Sequence, residues 1–224
     1  SFEIKRGSTV GIIGGTGSGK STLINLIPRF YDVTQGSVEV DGRNVKDYSF
    51  KQLRKQIGIV PQQSILFKGT IRDNMKWENP DLSDEDIITA LKNAQAYEFV
   101  SKLPMGLDSH VEQGGKNFSG GQRQRLCIAR AIAAQPKVLI LDDSFSALDF
   151  ATDAALRKAL SQYTHEMTVI IVTQRCSTIM NSDLILVLDD GMLVGKGTHK
   201  ELLKNCETYK EICLSQLSKS EVEV

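Results

Sequence analysis

The run Thr9-Val10-Gly11-Ile12-Ile13, continued by Gly14-Gly15-Thr16-Gly17-Ser18-Gly19-Lys20-Ser21 and then by Thr22 to Ile27, decides how this chain folds. Its first five residues are apolar and β-branched and read as a buried strand, whereas Lys20 to Ile27 has helical composition. Between them the spacing GxxxxGK[ST] is complete, with a strand before it and a helix after it, as a phosphate-binding loop requires. Glycines let the chain wrap closely, so backbone N–H groups of Thr16 to Thr22 converge on one anion while the helix start adds partial positive charge. In that geometry Lys20 reaches the β- and γ-phosphate oxygens of a nucleotide, and the Ser21 hydroxyl ligates Mg²⁺.

Such a site needs a carboxylate to complete the magnesium shell. Val138-Leu139-Ile140-Leu141-Asp142-Asp143 supplies one, because four apolar residues specify a central strand whose end presents two acids. Asp142 is the better metal partner, and Asp143, one residue on, can act as general base toward an attacking water.

Working outward, strand and helix signals alternate. Ser37 to Val40 and Ile57 to Val60 read as short strands and Phe50 to Gln56 as a helix. Ser83 with Asp86 marks a helix start, followed by Ile87, Ile88 and Leu91 at helical spacing and a second helical stretch over Tyr97 to Leu103. No strand signal appears again before Val138, so residues 75–118 read as a helical insert. Next come a helix from Gly120 to Ala134, the strand Val138 to Leu141, a helix from Asp149 to Tyr163 and a strand from Thr168 to Val172. Alternation of this kind builds a mostly parallel sheet. Asp183 to Leu188 and Met192 to Val194 flank an Asp190-Gly191 turn, which predicts a hairpin, and Thr198 with Glu201 caps one final helix. Residues 218–224 read as a frayed polar tail.

Composition narrows the function. Among 224 residues, 27 Lys+Arg balance 27 Asp+Glu, with no basic excess for gripping a nucleic-acid backbone or an anionic membrane. The longest apolar run, Leu184 to Leu188, falls far short of the roughly 18 residues of a membrane span. Cys127, Cys176, Cys206 and Cys213 lack CxxC spacing, and no histidine is grouped with a cysteine at ligand spacing, so all four are expected as free thiols in a reducing compartment. The chain opens on Ser1, with strand-like alternation and no initiator methionine, which suggests a segment of a longer polypeptide.

Ser119-Gly120-Gly121-Gln122 carries a second signal. Ser119 as N-cap with Gln122 three residues later forms a capping box, and two glycines in the first turn leave backbone N–H groups bare for an anion. Glycine in a helix costs about 1 kcal/mol relative to alanine, and phosphate approach is a reason to keep it. Arg123, Arg125 and Arg130 follow on the same helix.

Together, the phosphate loop, the Ser-Gly-Gly-Gln signature and the Leu-Ile-Leu-Asp-Asp strand resemble the nucleotide-binding domain of an ATP-binding cassette (ABC) transporter, over essentially the whole chain. The resemblance implies an α/β fold: a P-loop NTPase core with a mostly parallel sheet at about residues 1–74 and 119–217, a helical subdomain at about 75–118, and a small antiparallel β part. It implies an ATPase with ATP and Mg²⁺ as cofactors. Gln62 looks like the glutamine that touches Mg²⁺ and the water, and Ser146-Ala147-Leu148-Asp149 looks like the D-loop. Leu66 to Asn74 and Gly195 to Leu203 are similar to the exporter branch. There a transmembrane domain of the same polypeptide precedes the cassette, which works at the cytoplasmic face of the cell membrane with no nucleic-acid partner. The membrane domain is expected to dock around Gln62 to Thr70, where Ile65, Leu66 and Phe67 follow the glutamine.

Two departures from the family pattern fall on chemistry. The usual Glu after the magnesium aspartate is Asp143, one methylene shorter, and the switch histidine expected after Val172-Thr173 is Gln174, which cannot carry a positive charge or relay a proton. Phe118 replaces a usual Leu at a packing position, and the adenine-stacking aromatic normally lies upstream of Ser1. Cassettes of the family dimerise head to tail, each ATP lying between one chain's phosphate loop and the other's signature. The paired losses resemble the degenerate-site subunit of a heterodimeric exporter. A soluble or regulatory ABC ATPase without a membrane domain is the alternative.

Overall fold

The computed structural model describes residues 1–163 and 167–217, and the polar tail expected at 218–224 lies outside them. The strands, in chain order, are β1 (Thr9–Ile13), β2 (Glu39–Val40), β3 (Arg43–Asn44), β4 (Ile57–Val60), β5 (Gly69–Thr70), β6 (His110–Val111), β7 (Val138–Asp142), β8 (Thr168–Thr173), β9 (Leu184–Asp189) and β10 (Met192–Gly197). The first five helices are α1 (Lys20–Asn25), α2 (Phe50–Arg54), α3 (Ile71–Met75), α4 (Asp84–Asn93) and α5 (Tyr97–Ser101). Then follow α6 (Gly120–Ala133), α7 (Phe150–Tyr163), α8 (Cys176–Ile179), α9 (His199–Asn205) and α10 (Glu207–Leu214).

Six strands form one sheet in the order β10-β9-β1-β8-β7-β4. Every pairing is parallel except β10 with β9, the expected hairpin. Two antiparallel pairs, β2 with β3 and β5 with β6, stand apart from it. The fold is thus the α/β class that alternation of strand and helix signals predicts. Side-chain alternation sorts the sheet's two faces. Val10 and Ile12 join Ile140, Ile170, Val172, Leu186 and Leu188 in one core that α1 and α2 close with Ile24 and Leu53. Ile13, Leu139, Leu141, Val169, Ile171, Ile185 and Val187 face the other core, with Leu126 and Ile128 of α6 and Leu156 of α7. A sheet covered on both faces explains why its strands read as continuous apolar runs.

Helix starts follow the sequence signals. Ser83 Oγ accepts from the Asp86 amide, and Ser119 and Thr198 close full capping boxes with Gln122 and Glu201. Boundaries differ where local geometry intervenes. Helix α1 stops at Asn25 rather than Ile27, consistent with Pro28 disfavouring helical geometry in the residue before it. The strand expected over Ser37 to Val40 shortens to Glu39–Val40. The block read as strand-free contains β6, which pairs with β5 just ahead of the block; each is two residues long and too short to leave a periodic pattern. The single final helix is two, broken at Cys206, whose φ of −130° and ψ of 103° are extended.

The cysteine expectation is corrected. Cys176 and Cys213, 37 residues apart, form a disulfide with a Cα separation of 5.7 Å, within the usual range for a bridge. Cys127 and Cys206 are free and buried. The reading that no histidine groups with a cysteine is also corrected, because the ligand atoms of Cys176, His199 and Cys213 lie within 4.8 Å of one another. Folding brings these groups together, and sequence spacing carries no trace of it.

Gly11 lies in the central strand, where a Cβ would sit 2.6 Å from Ile179 Cβ of α8. Gly11→Ala is therefore expected to destabilise the chain by about 1–3 kcal/mol through overpacking, read as a lower urea midpoint; an unchanged midpoint would mean α8 is free to shift.

Candidate functional site

Parallel register places the site. Ile13 pairs with Thr173, Val172 with Asp142, and Leu141 with Val60. Gly14, Gln174, Asp143 and Gln62 therefore leave the sheet along one carboxyl edge, within two residues of those pairs. Ligands of open α/β sheets bind at that edge.

The loop from Gly14 to Gly19 is shaped by glycine where nothing else fits. A Cβ on Gly14 would stand 2.1 Å from the Leu188 carbonyl oxygen, and Gly17 and Gly19 have φ of 82° and 90°. Gly15 has open space around its Cβ position and is exposed with Thr16 and Gly17, so this stretch presents backbone outward. Gly19 begins α1 without a side-chain cap, leaving the first-turn amides of Lys20, Ser21 and Thr22 to other acceptors. The Lys20 ammonium folds over the loop, donating to the carbonyls of Gly14 (2.8 Å) and Gly15 (2.6 Å) and to Ser18 Oγ (3.3 Å). Burial pulls its pKa below the usual lysine range, against the opposing charges of Asp142 and Asp143.

Asp142 ends β7 and accepts a hydrogen bond from Ser21 Oγ at 3.0 Å. Burial pushes its carboxyl above the usual range and the Asp143 charge adds to that, while the Ser21 bond and Lys20 hold it down. A hydroxyl and a desolvated carboxylate facing each other at the foot of a phosphate loop are the hard oxygen donors that Mg²⁺ takes. Asp143 has φ of 48°, in the left-handed region, with its amide donating to Val172 O at 2.9 Å. Gln62 Nε2 donates to Asp143 Oδ2 at 3.4 Å, so these two expected residues meet.

Gln174 is exposed just past β8. Its carbonyl accepts from Gln216 Nε2 at 2.7 Å, and Gln216 Oε1 accepts from the Cys176 amide at 2.9 Å. Gln216 thus bridges both flanks of Arg175, whose guanidinium donates to Ser146 O at 3.4 Å. Sequence reasoning missed Gln216 and had no signal for it. Ser144 was also missed: its buried hydroxyl donates to Val60 O at 3.0 Å and ties the Gln62 loop to β7.

Ser119 and Gly120 are exposed at the start of α6, and a Cβ on Gly120 would meet nothing within 4 Å. Gly121 differs, because its Cβ would lie 3.2 Å from Ala147 O, so this glycine is explained by packing on the D-loop stretch. The arginines of α6 are structural. Arg125 donates to Gln95 O at 2.7 Å and lies over Phe99, and Arg130 donates to Ile65 O at 3.0 Å and lies over Phe67. Phe118 is buried beside Phe99, as a packing position requires.

Residues 1–146 match the family profile described as ABC transporter. The chain is a member of the ABC transporter family. It is 48% identical over 219 residues to YfiB of Bacillus subtilis, an uncharacterized ABC transporter ATP-binding protein, covering 98% of this chain and 38% of that protein. It is 45% identical to heavy metal tolerance factor 1 of Caenorhabditis elegans, covering 97% of this chain and 27% of the relative. A solved bacterial Atm1-family ABC exporter with ATP bound superposes with a TM-score of 0.91 at 38% identity, over 96% of this chain and 38% of that one. The chain thus spans well under half the length of these relatives, and it corresponds to the ATP-binding cassette of an ABC exporter.

Because its folded-state pKa is raised, the Asp142 carboxyl favours the cassette's fold at low pH and withdraws that contribution as pH rises through the raised value. Asp142→Asn keeps an acceptor for Ser21 and removes the desolvated charge. Its melting temperature at neutral pH should equal or exceed the parent's while Mg²⁺-dependent nucleotide affinity falls; a clearly lower melting temperature would mean that the carboxylate supports the fold.

Proposed function

We propose that this chain binds MgATP, pairs head to tail with a second cassette, and couples nucleotide turnover to export through a transmembrane domain of the same polypeptide. It would work at the cytoplasmic face of the cell membrane. The observation that carries the reading is the row of Lys20, Ser21, Asp142, Gln62 and Asp143 along one sheet edge, joined by the Ser21–Asp142 and Gln62–Asp143 hydrogen bonds. Gly14 to Thr22 would hold the phosphates, Ser21, Asp142 and Gln62 the Mg²⁺, and Asp143 and Gln174 would face the γ-phosphate and its water. When bound, Mg²⁺ neutralises developing charge on the phosphate oxygens. We divide the chain into a core at about 1–74 and 119–217 and a helical subdomain at about 75–118.

Its own site is slow in this reading. The shorter Asp143 retracts the base by about 1 Å, a misplacement that can lower the rate about 10²-fold, and Gln174 donates a hydrogen bond without the charge of an imidazolium. The intact Ser119, Gly120, Gly121 and Gln122 would serve the phosphate on a partner's loop, so the pair is a heterodimer with one strong site. Exposed Ser119 and open Gly120 suit that role, whereas Gly121 acts through its packing on Ala147. For membrane-domain docking, Ile65 (51% exposed) and Phe67 (39%), the latter stacked on Trp77, are the available contacts, and Leu66 belongs to the core. A soluble or regulatory cassette is the weaker reading, because the similar proteins are much longer than this chain.

Lys20→Ala should abolish most nucleotide binding in a titration, by removing charge-assisted contacts to phosphate. In the reconstituted transporter, Ser119→Ala should lower ATPase about 10²- to 10³-fold, whereas Asp143→Ala should change the total little. Loss of all hydrolysis in Asp143→Ala with an active Ser119→Ala would return the reading to a symmetric dimer.

A further inference from the structure

We propose that Cys176 and Cys213 form a reversible redox lock in which α10, once disulfide-bonded to α8, pins the segment that carries Gln174. Cys176 opens α8 only two residues after Gln174, and Cys213 lies in the last turn of α10, so the bridge joins the switch segment to the final described helix. Gln216, three residues past Cys213, bonds the Gln174 carbonyl and the Cys176 amide at 2.7 and 2.9 Å. Covalent bond and amide bridge therefore grip the same few residues from the same side. With α10 tethered, Gln216 stays within reach of both backbone groups. With the tether cut, the bridge lasts only as long as α10 rests on β9 and β10.

The surroundings suit thiol chemistry rather than inert packing. Both cysteines are fully buried, and the Tyr209 hydroxyl lies 3.5 Å from Cys176 Sγ and 2.8 Å from His199 Nδ1. A ring nitrogen of His199 lies within 4.8 Å of both sulfurs. His199 is therefore the base within reach of both thiols. Burial, with Lys200 adding to it, keeps this imidazole below its usual pKa and disfavours the protonated ring, so thiolate formation here is slow. The nucleophile in disulfide exchange is the thiolate.

The oxidant is a small-molecule disulfide, RSSR. Cys213, on the peripheral helix, gives its proton to His199, and its thiolate attacks RSSR to form a mixed disulfide, releasing RS⁻, which takes the proton from the ring. Cys176 then loses its proton by the same route and attacks Cys213 Sγ, displacing the second RS⁻. Two thiols are oxidised, one RSSR is reduced to two RSH, and excess RSH reverses the sequence. In a reducing compartment disulfides are transient or redox-sensing more often than structural. Both sulfurs are buried, so exchange requires α10 to lift and should run slowly in the folded protein.

The effect on nucleotide rests on reading Gln174 as the switch residue, but the thiol chemistry and the pinning do not. The complete polypeptide carrying this chain is poised at a series of RSSR/RSH ratios, with the bridge read by mass spectrometry and hydrogen exchange read on the peptide 174–180. Bridge formation is expected to follow the ratio reversibly. Protection of that peptide should fall about fivefold or more on reduction, as local opening becomes easier. Cys213→Ser should show the low protection at every ratio, and Gln216→Ala should lose protection while keeping the bridge. MgATP affinity should be lower in the oxidised parent than in the reduced one, because a pinned segment cannot close on the phosphate, and insensitive to the ratio in Cys213→Ser. Changed protection with unchanged affinity would leave the lock standing and overturn the reading of Gln174. A bridge that does not respond to the ratio, or peptide 174–180 equally protected in both states, would overturn the lock. So would one zinc retained per reduced chain, which would assign Cys176, His199 and Cys213 to metal capture instead.

Discussion

The pairing of the phosphate loop with the acid-terminated strand depends on three neighbouring parallel strands ending in register. β1, β8 and β7 stop within a residue of one another, with Ile13 beside Thr173 and Val172 beside Asp142. The hydrogen bond from Ser21 to Asp142 can form only because those ends coincide. A one-residue slip in any strand would turn its apolar set to the opposite face and move its terminal acid or glycine away from the site. The two apolar cores that fix the register therefore also align the chemistry.

That coupling explains where side chains are forced and where they are free. Gly14 is locked by Leu188 O at the end of β9, so the hairpin β9–β10 shapes the phosphate loop from outside. The Gly191 amide adds to this by donating to Ser18 O at 3.3 Å. Gly15, Gly17 and Gly120 have no neighbour that a Cβ would strike, and their openness faces away from the chain's own packing. Glycine thus serves two ends here: close approach inside the fold, and bare backbone on its outside. The two are told apart only by what surrounds each residue.

Raised at Asp142 and lowered at Lys20, the shifted pKa values share one cause, burial, with opposite charges close enough to offset it only partly. In the proposed reading, a lysine and a carboxylate kept short of full compensation would gain from the arrival of phosphate and a cation. Stability would then be given up locally where the proposed binding is made.

The sequence by itself determined the strand–loop–helix unit that begins at Thr9, though not where its helix ends, the acid-terminated strand at Val138 to Asp143, the caps at Ser83, Ser119 and Thr198, and the mostly parallel architecture. Each is written in a local pattern: period-two or continuous apolar runs, glycine spacing, or a hydroxyl three residues before its partner. Tertiary structure alone decided the rest. It closed Cys176 on Cys213, gathered His199 beside them, set Gln216 across Arg175, and turned Arg125 and Arg130 to the carbonyls of Gln95 and Ile65. These contacts join residues 30 to 65 positions apart or lie between separate elements. Their partners are chosen by how helices come to rest on the sheet, which leaves no periodicity in the chain to read.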